Sequence, residues 1–438
     1  MARRHLLIGS GPGSVAAAEM IRRRDEEAEI VIVGDEPHGY YSRPGLAYYL
    51  ANEVPEARLF PFSPRDFARI DVRLLLGRAA HVDRASHTVT LEDGSMLPYD
   101  RLLLATGSRA IPTDAPGAEL DGVVKLDDLN DARDLIRRAR TAKTAVVIGG
   151  GITALEIVEG MRARHVQVHY FMRKGRYWSN VLSEPESRIV EEGLRARGVQ
   201  IHDFTSLSGI LGRQGRVVGV ETDGGARIDC DLVAVALGVR PQKELAEAAG
   251  LDCDRGVLVD EHLRSSDEDI FVAGDIAEVC ATTTGRRTLE VLWNTAVDKG
   301  RIAGLNMATG PRRVYDTGTP LNVTRLAGHD ITIIGIVGSG RGADLKGLSR
   351  GDSQTWAEGS GEVMVESHSG EDHLRLALSE RTIAGAVVIG DQAISFPLQR
   401  IIEKRLDVSD ILASLLQPAA RVAEIVRGFW SQAQVQRA

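Results

Sequence analysis

Two glycine-rich turns, each set between an apolar run and a helix-like run, limit what this chain can fold into. The first, Gly9-Ser10-Gly11-Pro12-Gly13-Ser14, follows His5-Leu6-Leu7-Ile8. The second, Gly149-Gly150-Gly151-Ile152-Thr153-Ala154, follows Ala145-Val146-Val147-Ile148. A strand that enters a helix through such a turn and is followed by another strand is a βαβ unit, the building block of a parallel sheet. The continuation is present both times. Val15 to Arg24 reads as helix and Ile30 to Val33 as strand in the first unit; Leu155 to Arg164 and Val166 to Phe171 do the same in the second. The predicted fold class is α/β, with the unit duplicated.

Three further apolar runs end in small or acidic residues: Leu102-Leu103-Leu104-Ala105-Thr106-Gly107-Ser108, Leu232 to Gly238-Val239-Arg240-Pro241, and Ile270-Phe271-Val272-Ala273-Gly274-Asp275. From about residue 318 the pattern changes to strand-like runs, Ile331 to Val337 and Ala384 to Gly390, with glycine- and serine-rich connections. Two helical stretches are predicted to close the chain, Leu398 to Lys404 and Pro418 to Phe429. In the last of these, Val422, Ile425, Val426 and Phe429 fall at helical spacing, a stripe for core or dimer packing.

A glycine turn that opens a helix suits a pyrophosphate. Gly9 permits the tight turn, Gly11 lets the backbone approach the phosphates, and the helix N-terminus offers free N–H groups and a favourable dipole. Ser14 stands at the third glycine position and is small enough to fit. The acid that should hold the ribose is expected at the end of the second strand, where Asp35 and Glu36 stand. The second turn offers Gly149, Gly151 and Ala154, but Met172 occupies the place of its ribose acid, and Arg173, Lys174 and Arg176 follow. Cations without a carboxylate suit a 2′-phosphate, so this turn is expected to favour NADPH over NADH. Asp275 can accept hydrogen bonds from a polyol chain.

Composition narrows the partners. The 438 residues, 43% hydrophobic, allow two or three domains. A formal charge of −8 argues against a nucleic-acid surface. No apolar run reaches the roughly 20 residues of a spanning helix. The opening Met1-Ala2-Arg3-Arg4 precedes an apolar stretch too short for an export signal. Cys230, Cys253 and Cys280 are isolated, with neither C-x-x-C nor zinc spacing, which points to a reducing cytoplasm and no metal site.

Taken together and in order, Gly9-to-Ser14, Ala105-Thr106-Gly107, Gly149-to-Ala154, Gly238-Val239-Arg240-Pro241 and Gly274-Asp275 resemble the FAD-dependent pyridine nucleotide–disulfide reductase superfamily, from residue 4 to about 310. The resemblance implies two Rossmann-like dinucleotide-binding domains, for FAD and for NAD(P)H, plus a C-terminal α+β interface domain. FAD would take residues 1–111 and 253–317, NAD(P)H 112–252, and the interface or dimerisation domain 318–438. It also implies that Asp35 or Glu36 binds the FAD ribose, that Thr106 and Gly107 lie near its phosphates, and that Asp275 holds the ribityl chain. The helix beginning near Trp293-Asn294-Thr295-Ala296 would aim its N-terminus at the flavin pyrimidine. Gly238 would border the nicotinamide nucleotide, and Glu156 would lie near the nicotinamide and flavin rings.

Within the superfamily, Gly34-Asp35-Glu36-Pro37-His38 and Tyr41-Ser42-Arg43-Pro44 look like the cysteine-less ferredoxin and rubredoxin reductases and the flavin part of NAD(P)H–nitrite reductases. Arg43 would then touch the FAD pyrophosphate or adenosine. Gly45-Leu46-Ala47-Tyr48-Tyr49-Leu50 resembles instead the NADH oxidase and coenzyme A-disulfide reductase branch, where a redox cysteine stands in the place of Pro44. Without that cysteine, thiol chemistry at the flavin has no nucleophile. Tyr48 occupies the place of the lysine that pairs with the glutamate in the ferredoxin-reductase branch, leaving the protonation state of Glu156 open. The expected activity is NAD(P)H-dependent flavin reduction with electrons passed to an external acceptor. The candidates are a small ferredoxin- or rubredoxin-type carrier and a nitrite-reductase partner subunit. An NAD(P)H oxidase or small-molecule reductase, and a redox-sensing scaffold, remain as alternatives.

Overall fold

A computed structural model describes residues 2–281, 285–338, 363–369, 372–417 and 420–435. The chain begins as its glycine turns predict: Arg4–Ile8 (β1), Pro12–Arg24 (α1) and Glu29–Gly34 (β2). A short helix, Gly45–Leu50 (α2), precedes Val72–Leu76 (β3) and Arg101–Leu104 (β4), and Ser108–Ala110 (β5) leads away. The second unit comprises Val123–Val124 (β6), Thr144–Ile148 (β7), Ile152–Ala163 (α3), Gln167–Met172 (β8), Glu184–Ala196 (α4), Val199–Asp203 (β9) and Leu232–Val235 (β10). Val239–Pro241 (β11) leads back, and Ile270–Val272 (β12) and Trp293–Thr309 (α5) follow.

The two parallel sheets share a strand plan. The first is ordered β12-β4-β1-β2-β3 and the second β9-β8-β7-β10-β6. The central strands are largely apolar because both faces are covered, and Leu6, Leu7, Leu102, Leu103, Val146 and Val147 are all buried. Strand β12 therefore returns to the edge of the first sheet after the whole second sheet has formed. The two crossings, β5 and β11, pair with each other antiparallel, Ser108 opposite Pro241 and Ala110 opposite Val239.

The C-terminal part is an antiparallel sheet of Leu321–Leu326 (β13), His329–Gly335 (β14), Val363–Ser369 (β15), Asp372–Leu378 (β16) and Ile383–Ile389 (β17), ordered β13-β14-β17-β16-β15. Ser395–Glu403 (α6), Ser409–Leu415 (α7) and Val422–Val435 (α8) pack beside it. The tail thus has three helices among the described residues where two are expected. Helix α7 is only two turns long and presents one buried residue, Leu415, too little for a periodic signal. The last helix begins later than predicted, and Pro418 and Ala419 lie outside the described residues. Its predicted stripe points inward: Val422 and Val426 are buried, with Ile425 and Phe429 packed against the same core.

Candidate active site

The glycine turns meet the same constraint in the same way. Gly9 has φ +108°, and a Cβ there would sit 2.1 Å from the Ala105 carbonyl oxygen. Gly149 has φ +148°, and its Cβ would sit 2.2 Å from the Ala236 carbonyl oxygen. Each turn is pressed against the end of the neighbouring parallel strand, and only glycine fits. Beyond the close contact the cradles are open: a Cβ at Gly11 or Gly150 would meet nothing within 4 Å. Helices α1 and α3 both start at a glycine N-cap with no side-chain cap, and α5 has Leu292 as its N-cap, also without a side-chain cap. Three helix N-termini are left with donors for an anion or a polarised ring.

The remaining predicted residues fall into three groups. Some support the cradles from behind. Ser14 and Ala154 are buried, and Ala154 packs its Cβ under Gly149. Others gather around the first cradle. Glu36 forms an ion pair with Arg43 and accepts a hydrogen bond of 2.6 Å from Tyr41, whereas Asp35 is exposed. Arg43 also donates to the Asp127 carbonyl, so in this structure its guanidinium faces Glu36 and a main-chain oxygen. Thr106 donates to the Gln242 carbonyl at 2.6 Å, and Gln242 returns a bond of 2.8 Å to the Thr106 carbonyl. Gly107 has φ +70° and open space at its Cβ position. Ser108 donates to Asp275 at 2.5 Å, fixing that carboxylate beside Gly274. Trp293 is exposed at the start of α5; Thr295 is buried and donates to Leu292.

The third group belongs to the second cradle. Gly151, Thr153, Ala236 and Gly238 line one depression with Ala110 and Leu126. Arg173 and Lys174 follow β8 directly and are exposed, while the chain turns back so that Trp178 donates to the Gly150 carbonyl. No carboxylate ends β8; Met172 does, and it is buried.

Helices α2 and α3 bring the two units together. A Cβ at Gly160 would sit 2.3 Å from the Leu50 side chain, and Arg164 donates to the Leu50 carbonyl at 2.9 Å. This contact places Tyr48 and Glu156 on one cleft of about 400 Å³. Burial, and then the charge of Glu156, hold the Tyr48 hydroxyl above its ordinary pKa. Pro44 is the exposed N-cap of α2. The cleft also holds Glu159, Arg197 and Arg325, which sequence reasoning missed. Glu159 could have been found, since it lies one turn beyond Glu156 on the same helix face. Arg197 and Arg325 come from distant segments that only the fold assembles.

A family model described as pyridine nucleotide-disulphide oxidoreductase matches residues 3–300. The chain belongs to this family. Among its relatives, the ferredoxin–NAD(+) reductase component of the biphenyl dioxygenase system of Paraburkholderia xenovorans is 31% identical, covering 92% of this chain and 94% of that protein. The rubredoxin–NAD(+) reductase of Pseudomonas putida is 30% identical, covering 62% and 71%. The reductase of the covalent putidaredoxin reductase–putidaredoxin complex superposes with a TM-score of 0.84 at 25% identity, over 98% of this chain and 99% of that one. Cys230 is buried in a core, Cys253 follows the second unit and Cys280 is exposed on a strand, so none stands at α2. Among the described residues no cluster of three metal-ligating side chains forms, and no helix is long and apolar enough to cross a membrane.

Proposed function

We propose that this protein is an NAD(P)H-dependent FAD reductase that passes electrons to a small ferredoxin- or rubredoxin-type carrier, without a cysteine at the flavin. One observation supports it above the rest: the family's cradles are intact while the residue that caps α2 is Pro44. A donor set of this kind fits FAD. Gly11 and the start of α1 would hold its pyrophosphate, Glu36 its ribose, Thr106 and Gly107 its phosphates, and Asp275 its ribityl chain. The N-terminus of α5 would face its pyrimidine edge and favour negative charge there. FAD supplies the ring that takes hydride from the nicotinamide and yields electrons singly. The chain's own part is to align the two nucleotides and close the space between them. The carriers named by the relatives support the choice of acceptor.

The experiment is direct. The purified protein is expected to be yellow, to bleach anaerobically with NADPH or NADH without added thiol, and to turn over only when a ferredoxin or rubredoxin is supplied. Rapid oxygen uptake without a carrier would assign it as an oxidase instead. Slow reoxidation by every acceptor, with nucleotide-dependent assembly, would make it a sensor.

Arg173 and Lys174, exposed after β8 where no acid stands, support a preference for NADPH, although the relatives are named for NAD(+). Arg173→Ala is expected to raise KM for NADPH about tenfold, the loss of one charge-assisted contact, and to leave NADH unchanged. A wild-type preference for NADH would overturn this. The division at 1–111, 112–252, 253–317 and 318–438, a homodimer through the last part and a cytoplasmic location complete the reading.

A further inference from the structure

Each turnover of a reductase of this kind converts one NAD(P)H to NAD(P)⁺. A hydride leaves the nucleotide, two electrons go to two one-electron carriers, and one proton is left behind. That proton has to reach water. The cleft of about 400 Å³ runs from Glu156 along the C-terminal half of α3 and opens at the rim. Glu159 and Arg162 follow Glu156 on the same helix, and Glu156 and Glu159 are neighbours on one face. The space is large enough for water to stand between their carboxylates.

We infer that Glu159 acts with Glu156 as the exit path for this proton, passing it along the face of α3 to solvent. The inference rests on the reductase reading above. With Glu156 near the two rings, as the family resemblance implies, the proton passes from the reacting centre to a carboxylate oxygen of Glu156, through water to a carboxylate oxygen of Glu159, and out between the arginines.

The surroundings suit that role. Burial pushes the Glu159 carboxyl up to about 7, against the Arg197 charge and a hydrogen bond from the Ala327 main chain. The group can therefore gain and lose a proton at neutral pH. The charges and hydroxyls facing the cleft are Tyr48 and Glu53 from α2 and the turn after it, Arg162 from α3, Arg197 from the end of α4, and Thr324 and Arg325 from β13. Arg325 lies 3.7 Å from Glu53. Arg197 donates to the Gly193 and Ala327 carbonyls, and Arg162 to those of Arg197 and Val166. In these contacts Arg162 and Arg197 bind main-chain oxygens, while the Arg197 charge still acts on Glu159 from across the cleft.

The test uses Glu159→Gln and Glu159→Asp. In the apoprotein, infrared titration should show a carboxyl band that disappears as pH rises through about 7 and is missing in Glu159→Gln. In the holoprotein, stopped-flow with a pH indicator should show unchanged bleaching by NAD(P)H. Proton release during reoxidation by the carrier should be about tenfold slower, a modest acid–base effect. The pH dependence of that release near neutrality should vanish in Glu159→Gln and return in Glu159→Asp. Wild-type proton release and pH profile in Glu159→Gln, with bleaching intact, would overturn the relay alone. An absent infrared band would overturn it as well. A wild-type protein that does not bleach would overturn the reductase reading and the relay with it.

Discussion

His5 shows what a single side chain can cost in the middle of a strand. It is 1% exposed in β1, and neither ring nitrogen has a hydrogen-bond partner among the described residues. Burial, reinforced by Arg3, holds its pKa down at about 4. The folded protein therefore binds fewer protons at this site than the unfolded chain between about pH 4 and the ordinary histidine value near 6.5. Its contribution is complete above that window and is lost as pH falls through it, to a total of roughly 3 kcal/mol. Urea melts across the window should show wild type losing stability on acidification relative to His5→Leu, which keeps the apolar strand and removes the titration. Parallel curves for the two proteins would contradict this. The sequence marks His5 only as part of an apolar run, because burial on both faces is decided by the sheet. Glu36 was legible as an acid at a strand end, but its union with Arg43 and Tyr41 was not, since those residues return from the loop that follows.

At the level of elements, the glycines of the phosphate turns were readable because their neighbours in sequence demand them. Gly300 and Gly304, four apart in α5, were not. A Cβ at Gly300 would sit 2.1 Å from the Gly13 carbonyl, and one at Gly304 2.4 Å from that of Ala17. Their need arises from α1, which is remote in sequence. This close approach fixes the N-terminus of α5 relative to the first cradle. Gly300→Ala is expected to push the helices apart, cost about 1–3 kcal/mol and lower the FAD retained on purification. Gly428→Ala in α8, where the Cβ meets nothing within 4 Å, should instead stabilise by about 0.5–1 kcal/mol. Thermal melts with flavin content measured on the same samples would check both. The strands at Leu321–Leu326 and Asp372–Leu378 also escaped the sequence reading. The first alternates weakly, and the second contains His373 and Arg375, which look like surface residues until their partner is known.

That partner, Glu186, acts on the scale of the whole molecule. It stands in the first turn of α4 in the second unit and is fully buried, held by Arg375 at 2.9 and 3.0 Å and His373 at 3.1 Å from the C-terminal sheet. Burial works against its charge, but His373 and Arg375 together keep its pKa below the usual carboxylate range. Its stabilising effect is therefore present above that range and lost as pH falls below it. Glu186→Ala would strand a buried guanidinium, at about 3–5 kcal/mol. Calorimetry should show the C-terminal part melting earlier, with the nucleotide units less affected. A single unshifted transition would show that the lock contributes nothing. The order of the units was plain from the spacing of the turns, while the tie between them depends on residues far apart in the chain. The paired crossings at Ser108–Ala110 and Val239–Pro241 have one more consequence. The chain enters and leaves the second parallel-sheet unit at a single address, so that unit can be exchanged as a cassette. On the proposed assignment of the nicotinamide nucleotide to that unit, grafting the equivalent stretch of a relative between these two strands should change coenzyme choice while leaving the first sheet uncut.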